Sequence, residues 1–370
     1  MTSQPAVRSL HDVPTPALVL DLDRLEANLQ DMADRANTLG VSLRPHIKTH
    51  KCVEIALRQR ALGARGITVA TLYEARVFAD HGFEDITWAF PVILNRVPEI
   101  IALAGRVRLG LVVDTMEAVE RLESAHAPLH VALKVDCGYH RAGVDPHGRE
   151  AVRIAQAIAD AAHLEFDGIL SHSGHAYAAR SADAAARIAE EERTVMVAFA
   201  ERLRDLGLTV PTVSVGSTPT MRAATDLTGV TEARPGNYAL FDFTQVILGS
   251  CTAAECAVTV LASVVSAPVG AHHCLLDAGA LTLSKDTGPG APHTTMGEVF
   301  RDYDRAELDP NTRIVAVSQE HGRVNASLAP GQLVRVLPNH SCLTVAQFDR
   351  MWIARGDDLV DQWKIWRGRD

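Results

Sequence analysis

The chain has no Cys-x-x-Cys pair; its six cysteines, Cys52, Cys137, Cys251, Cys256, Cys274 and Cys342, are scattered over 370 residues. That usage argues against a disulfide framework and fits reduced thiols. No stretch approaches the roughly 18 uninterrupted apolar residues of a membrane span, and Met1 to Pro14 has no apolar signal region. A cytoplasmic protein without a membrane partner is the expectation. The formal charge of -9 is dispersed, with no basic patch to hold nucleic acid phosphates. The expected partner is a small molecule. No GxGxxG follows the first apolar run, so the usual mark of a dinucleotide-binding sheet is missing, although an open doubly wound sheet stays an alternative. What is present in quantity is apolar residue, 47% of the chain, enough for one large core or two moderate ones.

The apolar residues come in short β-branched runs that mostly enclose helical periodicity, the pattern of repeated βα units. Eight runs stand out: Leu43 to Lys48, Ile67 to Leu72, Asp85 to Phe90, Arg108 to Asp114, His130 to Cys137, Phe166 to His172, Thr212 to Ser217 and Glu232 to Tyr238. Segments such as Val53 to Leu62, Tyr73 to Asp80, Met116 to Ser124 and Gly148 to Ala161 read as amphipathic helices between them. The fold expected is α/β, a (β/α)8 TIM barrel. After about Cys256 the pattern changes to Ala257 to Val265, Cys274 to Leu276, Arg313 to Val317 and Gln332 to Leu337, separated by turn-rich segments including Asp286-Thr287-Gly288-Pro289-Gly290. This predicts a second, mainly antiparallel β domain, which Pro16 to Asp21 could join as a strand. The barrel is accordingly expected over residues 22–255, and the β domain over 1–21 plus 256–370.

In such barrels chemistry sits where strands end. The first run ends at Lys48, whose ammonium is costly to desolvate; burial and the cations Arg44 and His46 would lower its pKa and leave an amine able to form a Schiff base. The bland alternative is a lysine packing its stem and reaching water with its head. Gly216-Ser217-Thr218 and Pro235-Gly236-Asn237 close the last two runs, where these barrels bind phosphate through backbone N–H groups and hydroxyls. A reactive lysine facing a phosphate site points to pyridoxal 5′-phosphate. Tyr177 could pack on the ring or simply line the mouth. Arg141 could approach the pyridine edge or pair with Asp136 or Asp145. In the β domain, a strand at Pro338 to Cys342 would set His340 and Cys342 side by side with Ser341 facing away, a grip suited to zinc with positions left open. Cys342 could equally be a small apolar filler. Ser318 to Gly322 offers Glu320 and His321 as groups near the metal, or just a turn.

Together these pieces resemble the fold-type III pyridoxal phosphate enzymes, in the metal-dependent branch of D-serine dehydratase, D-threonine aldolase and D-threo-3-hydroxyaspartate dehydratase. The matching segments are Arg44 to Lys48, Lys134 to Gly143, Gly174 to Tyr177, Ser214 to Thr220, Arg234 to Tyr238, Gln319 to Gly322 and Pro338 to Cys342, in family order across nearly the whole chain. The resemblance implies an alanine racemase-like fold and a Schiff base at Lys48. Phosphate contacts are implied near Gly216, Ser217, Thr218, Gly236 and Asn237, and zinc or another divalent cation at His340 and Cys342. It also implies a head-to-tail homodimer in which the β domain of one subunit covers the barrel mouth of the other.

Such an enzyme would act on a D-amino acid carrying a β-hydroxyl. If the Lys48 amine takes the Cα proton while the metal draws off the hydroxyl, a 2-oxo acid and ammonia result. If a base such as His321 takes the hydroxyl proton instead, the Cα–Cβ bond breaks to glycine and an aldehyde. His-x-Cys resembles the dehydratase members, the aldolases tending to carry His-x-Asp, a harder pair suited to Mn²⁺ or Mg²⁺. Amino acid racemase, non-catalytic cofactor carrier and a zinc barrel hydrolase using His172, His175 and His340 are the more distant readings.

Overall fold

Burial on both faces is what the apolar runs demand, and the computed structural model, which describes residues 9–288 and 293–369, meets it with two sheets. The chain divides into two compact units. One comprises the described residues of 31–48, 53–236 and 368–369; the other those of 9–30, 49–52 and 237–367. The chain opens with β1 (Ala17–Asp21) and α1 (Leu22–Thr38). There follow β2 (Ser42–Leu43), α2 (Val53–Ala61), β3 (Ile67–Val69), α3 (Leu72–Asp80), β4 (Asp85–Pro91), α4 (Val97–Ala104), β5 (Arg108–Val113), α5 (Met116–Glu123) and β6 (Leu129–Lys134). Then come α6 (Arg149–Asp160), β7 (Leu164–Leu170), α7 (Ala182–Asp205), β8 (Thr212–Val215), α8 (Thr218–Ala223) and β9 (Glu232–Ala233).

Strands β2 to β9 pair in parallel in the order β2-β9-β8-β7-β6-β5-β4-β3. A bridge between His46 and Thr68 brings the two ends of that order together, which closes a (β/α)8 ring. Thr71, Thr115 and Ser181 cap the helices that follow them, each accepting from a first-turn backbone N–H. The first strand is shorter than expected. Pro45 lacks an N–H, yet Arg44 N to Ala233 O and His46 N to Pro235 O, both 2.9 Å, and Thr68 N to Pro45 O at 2.8 Å keep the backbone in register. Lys48 lies beyond it, in the 3₁₀ turn Ile47–Thr49.

Arg44, the residue after β2, is held by two carboxylates. Its guanidinium is buried, grips Asp85 with two bonds of 2.8 Å and donates Nε to Glu232 at 2.5 Å. Arg44 and Glu232 line a cavity of about 40 Å³ with Thr87, Gly110 and Ser214. Arg44→Lys keeps the charge but loses the fork. A stability loss of about 1–3 kcal/mol is expected, read as a lowered melting temperature with cofactor affinity unchanged.

The second unit carries α9 (Phe243–Leu248), β10 (Val258–Ser266), β11 (Cys274–Leu276), α10 (Ala280–Leu283), β12 (Gly297–Asp302), β13 (Glu307–Val317), β14 (Gly322–Val324), β15 (Leu333–Leu337), α11 (Ser341–Val345), β16 (Arg350–Arg355) and β17 (Asp358–Lys364). Its sheet runs β11-β14-β13-β12-β15-β10-β1-β16-β17, and β10 also pairs with β11, so six strands form an antiparallel ring. The N-terminal strand β1 lies between β10 and β16, antiparallel to the former and parallel to the latter, with Leu18, Val19 and Leu20 fully buried. Of the segment Asp286 to Gly290, Pro289 and Gly290 lie outside the described residues. Among the described residues no helix is long and apolar enough to cross a membrane.

Candidate active site

The loops that follow the barrel strands concentrate positive charge. Lys48 is half-buried. Lys134, the last residue of β6, is 5% exposed, and burial followed by the charge of Arg234 pushes its amine down to about 7. Arg234, just past β9, is buried and donates to Ser214 Oγ and the carbonyl of Ser171. Burial, then Lys48, Lys134, Arg141 and Arg234, hold the His172 imidazole well below its ordinary range, so it stays neutral.

Arg141 is exposed and sits over the Tyr139 ring at 5.0 Å from the centroid. Neither acid suggested for it is its partner: Asp136 takes His140 Nδ1 at 2.8 Å and two backbone N–H groups, while Asp145 accepts from His147 N. Tyr177 is half-buried in the 3₁₀ turn Gly174–Ala178. Gly174 is required in that turn, because a Cβ there would stand 2.3 Å from the Tyr139 ring. Tyr139 in turn stacks on His175 and meets His172 edge-on, both at 6.1 Å.

After β8 the chain turns at Gly216, whose φ of 109° favours glycine. Ser217 then caps α8 in a reciprocal box with Thr220. Gly236 and Asn237 follow β9. The Asn237 side chain is committed elsewhere, donating to Asp242 Oδ2 at 2.7 Å and Ser341 Oγ at 2.9 Å, so only its backbone can meet a phosphate.

In the other unit, the strand expected at Pro338 to Cys342 ends at Leu337. His340 is the N-cap residue of the short helix α11, and Cys342 lies in its first turn. Ser341 does turn away, into a buried network in which its N–H and Oγ donate to Asp242 Oδ2 at 2.9 and 3.1 Å. Burial pushes the Asp242 carboxyl up, against these bonds and His340. A hydrogen bond joins His340 to Cys342, and Asp286 Oδ2 lies 2.9 Å from His340 Nδ1. Burial opposes the charged imidazole, but Asp286 and Cys342 outweigh it and push His340 up to about 11. Cys342 Sγ is 3.3 Å from Thr49 Oγ1, on the residue next after Lys48 in sequence.

Glu320 and His321 are exposed in the turn between β13 and β14, and the Glu320 carboxylate accepts from its neighbour Gln319. The carboxylate behind His340 is thus Asp286, which the sequence reading took for an ordinary turn residue. Another trio of ligand type, His130, Glu165 and Asp167, sits near the start of β6 and β7, where Arg108 already holds Asp167 at 2.7 Å. That end of a barrel serves stability.

Residues 20–242 match the family model "Alanine racemase, N-terminal domain", and residues 257–354 match "Putative serine dehydratase domain". D-threo-3-hydroxyaspartate dehydratase of Delftia sp. is 36% identical, over 97% of this chain and 99% of its own. D-serine dehydratase of Dictyostelium discoideum is 34% identical over 95% and 96%, and D-threonine aldolase of an Arthrobacter species 31% over 95% and 92%. The solved Delftia dehydratase superposes with a TM-score of 0.92, covering 97% of this chain and 99% of that one at 35% identity. Alanine racemase of Bacillus anthracis, 14% identical with a TM-score of 0.69 over 95% and 98%, shares the fold. The chain therefore belongs to the fold-type III pyridoxal phosphate enzymes, among the lyases of D-3-hydroxy amino acids.

Proposed function

We propose that the protein is a dehydratase that converts a D-3-hydroxy amino acid to a 2-oxo acid and ammonia, using pyridoxal phosphate at Lys48 and zinc at His340 and Cys342. The observation that carries the reading is the imidazole and thiol in hydrogen-bonding contact with Asp286 behind the imidazole. Imidazole and thiolate favour zinc over harder cations. The residues also fit the organic cofactor. A half-buried lysine and a cation-rich mouth suit an anionic aldehyde, and the turn Gly216-Ser217-Thr218 with Gly236 and the backbone of Asn237 suits its phosphate. A solved D-threo-3-hydroxyaspartate dehydratase variant is described as being in the metal-free form, wording that supports a metal in that relative.

When bound, pyridoxal phosphate takes up the electrons left at Cα, and a divalent cation makes the β-hydroxyl a better leaving group. Lys48 would hold the cofactor's aldehyde and, once displaced by the substrate's amine, take the Cα proton. His172, kept neutral by its surroundings, would line the mouth without competing as an acid. Tyr177 would pack against the cofactor ring, and Arg141 would approach it from the exposed side. Asp286 would orient His340 through Nδ1 so that Nε2 is the ligating atom, and a metal must displace a proton there. His321 would act only if its exposed turn is covered, which suits the homodimer with shared sites that we propose; sedimentation at micromolar concentration checks it. Free thiols throughout the described residues suit a cytoplasmic setting.

Retro-aldol cleavage is the competing reaction. Incubation with pyridoxal phosphate, zinc and D-serine, D-threonine or 3-hydroxy-D-aspartate separates the two: a 2-oxo acid with ammonia is expected, and glycine with an aldehyde overturns the proposal. Asp286→Asn is expected to weaken metal binding and turnover by roughly 10- to 100-fold, as measured by metal titration followed by assay at saturating metal.

A further inference from the structure

Helix α7 buries a stripe made of Ala185, Ala189, Met196, Phe199, Ala200 and Leu203, and in the middle of it stands a carboxylate, Glu192, only 1% exposed. A buried carboxylate is costly unless its oxygens are hydrogen-bonded. Here the donors are neutral. Ser171 Oγ donates to Oε1 at 2.7 Å, Ser173 Oγ to Oε2 at 2.6 Å, and Cys137 Sγ lies 3.7 Å from Oε1. The buried cations Lys134 and Arg234 feel its charge at longer range.

The two serines flank His172. Ser171 also accepts from Arg234 through its carbonyl, and Ser173 Oγ lies 3.4 Å from Thr220 Oγ1, the group that closes the cap with Ser217. Cys137 belongs to the segment after β6. One carboxylate therefore ties together the loops after β6, β7 and β8, at the end of the barrel where chemistry is done.

We infer that Glu192 is a positioning residue of the lyase, clamping Ser171 and Ser173 on either side of His172 so that this imidazole is held in place at the barrel mouth. The inference rests on the reading of that mouth as the cofactor site. Two oxygens on two hydroxyls fix the loop at two points, which a single bond cannot do. A glutamine in the same place offers one acceptor, and its amide must donate to the other serine, reversing that bond.

The test compares wild type, Glu192→Gln and the double variant Ser171→Ala/Ser173→Ala, each loaded with cofactor and metal. Steady-state kinetics is paired with NMR of isotope-labelled histidine, His172 being assigned through His172→Gln. The double variant keeps the carboxylate, so it reports even where Glu192→Gln fails to fold. Both are expected to lose roughly 10- to 100-fold in kcat with little change in KM, and the His172 resonance is expected to move or broaden. Wild-type kcat and an unmoved His172 resonance in folded variants, whatever their melting temperatures, would overturn the inference. Wild-type turnover of a D-3-hydroxy amino acid is measured first. Its absence counts against the reaction, while the resonance still decides the clamp.

Discussion

A Lys48→Ala protein is expected to emerge from gel filtration colourless after incubation with pyridoxal phosphate, and to turn over its substrate roughly 10²- to 10⁴-fold more slowly than wild type. The experiment is sharper than it looks, because the barrel mouth contains a second candidate amine. Lys134 is buried, and its amine is pushed down to about 7, so a large part of it is unprotonated and nucleophilic near neutral pH. By protonation state alone Lys134 competes. By position Lys48 is favoured, since it lies half-buried in the turn after the first barrel strand and is more open than Lys134. Borohydride reduction followed by peptide mapping separates them. Label on the peptide containing Lys48 is expected; label on the one containing Lys134 sinks the assignment and makes Lys48 a spectator.

Cys342→Ala is expected to keep the cofactor's colour and lose both bound zinc and turnover. Lewis-acid assistance is worth several kcal/mol, so the loss is roughly 10²- to 10⁴-fold. Metal content by elemental analysis and the absorbance of the bound cofactor are read on the same sample. A full complement of zinc in this variant would remove Cys342 from the ligand set. Cys342→Asp goes further, since a carboxylate in place of the thiolate should shift preference toward Mn²⁺ or Mg²⁺. If products also shift from ammonia to glycine, the ligand pair selects the reaction as well as the metal.

Barrel strands were legible because both faces are buried. Arg108–Val113 reads as an unbroken apolar run for that reason, and its five residues after Arg108 are all buried. The β unit hid more. Strands β12, β14, β16 and β17 went unread; β14 spans only three residues, and β17 is mostly exposed and buries only Trp363. The proposed ligands His340 and Cys342 were singled out by residue type, but the strand expected there is a helix start instead, where Asn339 bonds the carbonyls of Asp286 and Thr295. Asp286 was out of reach, because its tie to His340 spans 54 residues of sequence. Glu192 was within reach. Glu190-Glu191-Glu192 looks like a solvated run, yet position 192 falls on the stripe of Ala185, Ala189, Met196 and Phe199, and a carboxylate on that stripe is a question the helical period itself poses.

The placement of β1 has a price in time. Its three buried residues leave the ribosome more than two hundred residues before β10, the nearer of its two neighbours in sequence. At about 5–20 residues per second that is a delay on the order of 10–50 s. Throughout that interval Leu18, Val19 and Leu20 form a sticky, unpaired ribbon while the ring of parallel strands is being made behind it. Newborn chains are therefore expected to need a holdase chaperone over this segment, and starving cells of it should yield aggregates nucleated at residues 17–21.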